Sequence, residues 1–564
     1  MNKRALPFFI SLTLLLPIGI FFYVWNYYAI NIPKWDDHAL KAFLVEYIQA
    51  STFSEKLQAL LRQHNEHRIS LTRVFTLLDY ILFDGLSFKR LMLYGNLLLI
   101  GILGLWGLLL HKNAKPYYTL LPVPFIWLTL AHYENMYWGM AAIQNFGVVV
   151  LAAWTLFCCI SRSRNLFLLS LALAVITCLT SGNGLLVLPI GAVTLFLAPR
   201  WRRLLAWLVM SGVLLFGYFN WYTRSPANPE ATFGVGKYIK GFLYFLGSFA
   251  ESLPVNDHFF VCLLFGGILF LVAMSIISTT LFRIIRNRYE YDFAKITDLF
   301  CLGVLLFILG TTALVVYSRV GFGLEGLLTS RYKIYSFLLL LVAYLYIVIP
   351  IRGSFLSPYV SGIIFLNVLY SLFSNHYHLV DASNLRKFQT TQRFNWTYTD
   401  RSLKPFKDQR LAGKLVEDSP VFYQSWLPLL PQASQSQTAG DTAGIKTMFA
   451  ATAIRQGTQS IDIQNNTYIS NRLQDSGVYI LLSSAERYYL FPTNRSRNTN
   501  RKQLLLHQQY FAPGFSSSIP FAEIKPGTYA LGMVWQQGEK TGIVMGKDSI
   551  DSKQVLTKTI RTNW

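Results

Sequence analysis

The sequence predicts a polytopic α-helical membrane protein of about eleven spans with a β-rich extracytoplasmic domain at its C-terminus. Three observations lead there. Apolar runs close to the length that a hydrocarbon core of ~30 Å asks of a helix recur through the first 375 residues. The short loops between them alternate in charge. After Ser374 the long apolar runs stop, and short alternating stretches separated by turn residues take their place. The chain has 564 residues, 53% hydrophobic and only 14% charged, with a mean hydropathy of +0.37. A soluble globular domain does not have that composition.

Taken in order, the spans are expected near 8–30, 91–111, 117–131, 143–160, 165–180, 184–198, 203–222, 258–281, 297–318, 333–350 and 354–374. The first follows Lys3 and Arg4, and its apolar stretch is too long for a signal-peptide core, so an uncleaved span is expected. With a cytoplasmic N-terminus, the inside loops are Lys112–Lys115, Arg162–Arg164, Arg200–Arg203, Arg283–Lys295 and Arg352, all basic. The short outside loops at 132–142 and 181–184 contain no Lys or Arg. That asymmetry is the positive-inside pattern. It also accounts for much of the net charge of +22 and the pI of about 9.7, so a nucleic-acid partner is not expected. Residues 238–252 are apolar but end in Glu251 and Pro254, and read as an interfacial or re-entrant helix on the outer side.

This topology gives a transmembrane domain over 1–375, with an outer loop at 31–90, a connector over 376–450 and a β-sandwich-like domain over 451–564. The strand candidates are Val478–Leu481, Tyr488–Leu490, Thr528–Leu531 and Gly542–Met545, punctuated by Lys525-Pro526-Gly527 and Gln537-Gly538-Glu539. Gln432–Gly444 reads as a flexible linker. The five cysteines, Cys158, Cys159, Cys178, Cys262 and Cys301, all lie in apolar segments and read as small buried hydrophobes.

The outward loops carry the polar chemistry. Asp36 and Asp37 leave the first span together, which packing does not explain; they serve either as a helix start or as a catalytic or binding pair. His64-Asn65-Glu66-His67-Arg68 follows, its histidines three apart and on one face if helical. That run suits substrate hydrogen bonding, a structural network or, as the least favoured option, a divalent ion with the Asp pair. His132–Gly139 holds Glu134 and Asn135 among interfacial aromatics. Ser181-Gly182-Asn183-Gly184 reads as a tight turn. Arg319 and Arg331, with Tyr332 beside the second, bracket a glycine-containing loop. Arginine suits bidentate contact with phosphate oxygens, from a substrate or a lipid headgroup. Carboxylates to take a proton and arginines to hold a departing phosphate are the parts needed to move a sugar off a lipid phosphate.

On the spans and the Asp36-Asp37 pair, the chain resembles the GT-C superfamily of integral-membrane glycosyltransferases, which includes protein O-mannosyltransferases, aminoarabinose transferases and bacterial O-antigen glucosyltransferases. The likeness covers residues 1 to about 375. In many members the acidic pair is Asp-Glu and its first residue is the base, which points here to Asp36 supported by Asp37. His64–Arg68 and Ser330-Arg331-Tyr332 are similar to runs in bacterial members. The resemblance implies a hexosyltransferase in a bacterial inner membrane, with its C-terminal domain periplasmic and a polyprenyl-phosphate sugar as donor. It implies a glycan or lipid acceptor and inverting displacement without a required cofactor. Arg319, Arg331 and Tyr332 would hold the donor phosphate, and His64, Glu66, His67, Arg68, Glu134 and Asn135 the substrates. Trp426, Tyr488, Tyr489, Tyr510 and Trp535 are candidates for stacking on sugar rings. The competing readings are a polymerase or ligase of lipid-pyrophosphate-linked glycans and a transporter. Against the second stand the lack of an internal repeat and of polar residues at mid-span.

Overall fold

The computed structural model describes residues 5–223, 234–286, 293–399, 452–469, 477–507, 509–537 and 540–552. Lys3 and Arg4, Trp426, Gln432–Gly444 and the rest of the connector from 400 lie outside those residues. The chain divides into two compact units. One comprises Met1–Tyr27, Glu46–Leu82 and Arg90–Asn375, and the other Tyr28–Val45, Phe83–Lys89 and His376–Trp564.

The protein is mostly helical. In chain order the helices begin with α1 (Ala5–Tyr28), α2 (Asp37–Gln49), α3 (Phe53–Leu61), α4 (Ser70–Phe83), α5 (Phe88–Leu98) and α6 (Ile100–Lys112). After the short α7 (Pro122–Trp127), α8 (Tyr133–Met136) and α9 (Gly139–Ala141) come α10 (Gly147–Ile160), α11 (Arg164–Cys178), α12 (Val187–Leu197) and α13 (Trp201–Phe219). The series continues with α14 (Val235–Leu246), α15 (His258–Arg286), α16 (Phe293–Arg319), α17 (Lys333–Val348) and α18 (Leu356–Thr399). Among the described residues, seven helices are long and apolar enough to cross a membrane, and Leu12–Tyr28, Arg164–Cys178 and Gly182–Leu197 are shorter apolar helices.

One expected span does not form as a single helix. Residues 117–131 break into a 3₁₀ turn at Tyr117–Leu120, the six-residue α7 and a second 3₁₀ turn at Leu130–His132. Pro122 and Pro124 explain the first break: each lacks the N–H that continuing a helix from Tyr117 would need, and the ring excludes the carbonyl four residues back. The segment at 238–252 forms α14 and a 3₁₀ turn at Ser248–Ser252. At 12 residues, α14 extends only ~18 Å.

α14 meets α15 through glycine. A Cβ on Gly247 would fall on the carbonyl of Cys262, and one on Gly266 would fall on the carbonyl of Leu243. Close backbone approach through small residues is how helices associate where no hydrophobic drive separates lipid from side chain.

The second unit is built on two antiparallel sheets. β3 (Thr452–Gln456), β4 (Ser460–Asn465) and β7 (Phe515–Pro520) form one. β6 (Tyr488–Pro492), β5 (Gly477–Ser483), β8 (Gly527–Gln537) and β9 (Lys540–Ser552) form the other. Alternation along β5 sends Val478, Ile480 and Leu482 into a shared core with Ile461, Ile463, Phe515 and Ile519 of the first sheet. Tyr479 and Leu481 point the other way, onto Phe394 of α18 and onto Ile30 and Ile32. Covered on both faces, β5 reads as a continuous apolar run. α18 continues without a break past residue 375, so the change of composition there marks no end of a helix. Lys387 on that helix donates to the Val478 carbonyl and to Thr493 Oγ1, and Asn395 Nδ2 donates to the Leu490 carbonyl.

Replacing Gly266 by Val should push α14 from α15 and cost about 1–3 kcal/mol. The check is the melting temperature of the detergent-solubilised protein, and an unchanged value would show that the contact is not tight.

Candidate functional site

Three helix ends and one hairpin converge in the first unit around a cavity of about 780 Å³. Arg319 closes α16, Tyr218 and Tyr222 lie at the end of α13, and Ser181–Asn183 precede α12; all line the cavity. Leu188, Pro189 and Ala192 of α12, Leu208 and Leu215 of α13, and Leu314 and Val315 of α16 line it further along the same helices. The charged lining residues come from the hairpin and from the ends or flanks of helices, while the lining from the bodies of α12, α13 and α16 is mostly aliphatic, so the cavity combines charged groups with aliphatic walls.

The hairpin is the run His64–His67. β1 (Gln63–His64) pairs antiparallel with β2 (His67–Arg68), His64 opposite His67. The two histidines therefore do not share a helical face. Asn65, at φ +50°, takes the left-handed conformation a tight turn requires, one that Asn tolerates better than most residues. α3 leads in from a capping box: Thr52 Oγ1 accepts from Glu55 N at 3.2 Å, and Glu55 Oε2 accepts from Thr52 N at 3.0 Å. These bonds to backbone N–H groups hold the Glu55 carboxyl below its ordinary pKa. The chain then turns, and two arginines satisfy carbonyls that the helix end leaves over. Arg73 donates to Leu60 and Arg62, and Arg68 to Leu61.

Arg68 does more. Its Nε donates to the Tyr218 carbonyl at 2.8 Å and its other terminal nitrogen to Asn220 at 2.8 Å. Gln63 exchanges bonds with the Thr223 backbone at 2.6 and 3.0 Å. The guanidinium expected to bind substrate thus fastens the hairpin to the end of α13. His64 is buried, its Nε2 3.3 Å from Asn65 Nδ2, and does not line the cavity. Glu66 and His67 do line it. His67 Nδ1 accepts from Gly182 N at 3.1 Å, which places the proton of the neutral ring on Nε2. A Cβ on Gly182 would stand 2.7 Å from that nitrogen, so a larger residue there would displace the His67 ring.

Across the cavity, Ser330 Oγ donates to the Ala131 carbonyl at 2.7 Å and accepts from Glu134 N at 3.1 Å. Asn135 Nδ2 donates to the Arg331 carbonyl at 3.1 Å, and its Oδ1 accepts from Asn145 at 2.8 Å. The second and last outward loops of the sequence reading are therefore bonded together. Asn145 reaches the cavity from a π-helical stretch, Ala142–Phe146, a local widening common at functional sites. Asn135 is buried and bridges, while Asn145 faces the cavity.

Both cavity arginines form ion pairs, and of the two carboxylates Glu66 lines the cavity while Glu134 does not. Arg319 lies 3.7 Å from Glu66, and Arg331 lies 3.7 Å from Glu134. Arg331 also sits over the rings of Trp138 and Tyr332 at 5.7 and 5.8 Å. Arg331 Nε and Glu134 Oε2 are buried without a hydrogen bond. Tyr332 lines the cavity.

Asp36 and Asp37 belong to the second unit. Asp37 is fully buried at the start of α2, and its Oδ2 accepts from Lys34 N at 2.9 Å. Asp36 is half-buried. Trp35 before it has φ +47°, a strained conformation for a bulky residue, with Lys34 Nζ 4.2 Å from its ring centre.

The stacking candidates fare differently. Tyr489 and Trp535 are in the core between the sheets, Tyr510 is partly buried with its hydroxyl donating to the His376 carbonyl, and Tyr488 packs against the Leu481 cluster. Among the described residues, no group of three His, Cys, Asp or Glu side chains is placed to hold a metal. The sequence reading missed Tyr218, Tyr222, Thr311 and Tyr335. Asn183, read there as part of a turn, donates to Tyr335 and Thr311 at 2.7 and 3.3 Å. The only local signal was polar residues recurring near span ends.

Arg68→Met should leave the Tyr218 and Asn220 carbonyls without their donor and cost about 1–3 kcal/mol. The hairpin should then become cleavable in limited proteolysis, and resistance equal to that of the unsubstituted protein would refute the latch. In comparisons with known proteins, no family model, no curated protein and no solved structure matches this chain.

Proposed function

We propose that the protein is an integral-membrane glycosyltransferase that moves a sugar from a polyprenyl-phosphate carrier to an extracytoplasmic glycan or lipid. The observation that carries this reading is the cavity, which combines two arginines and hydrogen-bonding side chains with aliphatic walls along three helices. A lipid phosphate bearing a sugar has that same division. Its phosphate suits guanidinium forks, its sugar the polar side chains, and its tail the aliphatic walls.

In this reading about eleven segments cross or enter the bilayer of a bacterial inner membrane, with the N-terminus cytoplasmic. The interrupted stretch at 117–131 is one that enters without a continuous helix, acceptable where it is covered by protein. The β-domain is periplasmic.

The chemistry is a single displacement. An acceptor hydroxyl oxygen forms a bond to the anomeric carbon as the bond from that carbon to the phosphate oxygen breaks. The electron pair leaves with the lipid phosphate, where Arg319 and Arg331 stabilise the added charge. The hydroxyl proton passes to a carboxylate. Asp36 is the base implied by the resemblance. Its half-exposed carboxylate suits proton transfer better than the fully buried, backbone-bonded Asp37, which supports the loop.

Sugar transfer in membrane vesicles, from a labelled undecaprenyl-phosphate sugar to endogenous membrane glycan, tests this. Arg319→Ala and Arg331→Ala should each lower kcat/KM by about 10²-fold or more, and Asp36→Asn by about 10²–10⁴-fold. Full transfer by Asp36→Asn would remove the base assignment, and full transfer by both arginine variants would remove the reading.

A further inference from the structure

The ion pairs made by the two cavity arginines are long. Charge-assisted hydrogen bonds close to about 2.7–2.9 Å, yet Glu66 and Glu134 each stand 3.7 Å from their arginines. Arg319 and Arg331 are about one-third exposed. Each guanidinium is therefore balanced in charge without having its donors used up by its partner, and the carboxylates occupy the place of an incoming anion.

Resting on the lipid-phosphate reading, we propose that donor binding exchanges counter-ions. The donor phosphate takes Arg319 from Glu66, and the freed carboxylate then selects the sugar, admitting rings that carry no acidic group. The backbone at Glu66 is held in place, since its carbonyl accepts from Tyr222 and the adjacent His67 is bonded to Gly182. The Glu66 side chain thus stays in the cavity when its partner is taken. There it accepts hydrogen bonds from sugar hydroxyls, beside His67 and Asn145.

Charge decides the class of sugar. Two arginines are matched by two glutamates before anything binds. A phosphodiester adds one negative charge, which arginine donors can satisfy while hydroxyls solvate Glu66. A uronic acid would add a second negative charge next to that carboxylate, whose side chain is only 23% exposed, where screening is weaker than in bulk water. Like-charge juxtaposition of this kind is what excludes wrong partners. Glu66 is in this account a specificity-determining residue.

The test is equilibrium binding to the detergent-purified full-length protein of two synthetic polyprenyl phosphates with the same chain, one carrying glucose and one glucuronic acid. The glucosyl lipid should bind at least about tenfold tighter. Glu66→Gln, nearly isosteric, should bring the two within about threefold, by gain for the glucuronosyl lipid. Arg319→Ala should weaken both alike. Equal affinities for the unsubstituted protein, or a preference that survives Glu66→Gln, would overturn the exchange while leaving the lipid-phosphate reading in place. Binding of neither lipid by a protein that stays monodisperse would overturn both.

Discussion

A charge at the end of an apolar helix has to be matched, and that requirement organises the first unit. Arg319 ends a 27-residue helix of mostly apolar residues, and Arg331 lies just before another. Each is about two-thirds buried and stands 3.7 Å from a carboxylate brought in from a distant part of the chain. Glu66 comes from a hairpin more than two hundred residues earlier, and Glu134 from the short helices that follow the interrupted span. Bringing those carboxylates in also brings His67, Asn145 and Asn183, which gives the cavity its hydrogen-bonding equipment.

Holding the hairpin in place falls to a different arginine. Arg68 uses its guanidinium on three backbone carbonyls, two of them at the end of α13. Arginine is suited to this because its planar fork of donors is always charged and bonds in several directions at once. The same residue type therefore does two jobs in one unit. The difference lies in what each fork faces: carbonyls left over at helix ends for Arg68, a cavity for Arg319 and Arg331.

In the second unit the acidic pair divides in a comparable way. Asp37 is consumed by its own loop, accepting a backbone N–H three residues earlier, whereas Asp36 keeps partial exposure after a strained tryptophan. Adjacent residues on a turn point in different directions, so two identical carboxylates have unequal chances of doing chemistry. The strands of this unit show the same dependence on environment. β5 and β8 were legible because the burial of both faces of their sheet makes their central stretches apolar throughout. β3, β4 and β7 were not, because sequences such as Ser460–Asn465 and Phe515–Pro520 put polar side chains on one face and only two apolar ones on the other.

The sequence by itself determined the helical character of the first 375 residues, most helix positions, the presence of a β-rich C-terminal region and the residues of the polar clusters. These follow from local properties: hydropathy summed over a span, alternation over a strand, and the residue types that break both. It misjudged 117–131, where hydropathy outvoted two prolines, and His64–His67, where a spacing of three suggested a helix that a left-handed Asn65 replaces with a turn. Tertiary structure alone decided which members of each cluster meet. Glu66 and not His64 enters the cavity, Arg68 becomes a latch, and Tyr489 and Trp535 are core. A side chain's direction depends on the backbone conformation beneath it and on the partner that arrives from elsewhere in the chain, and neither is encoded in spacing.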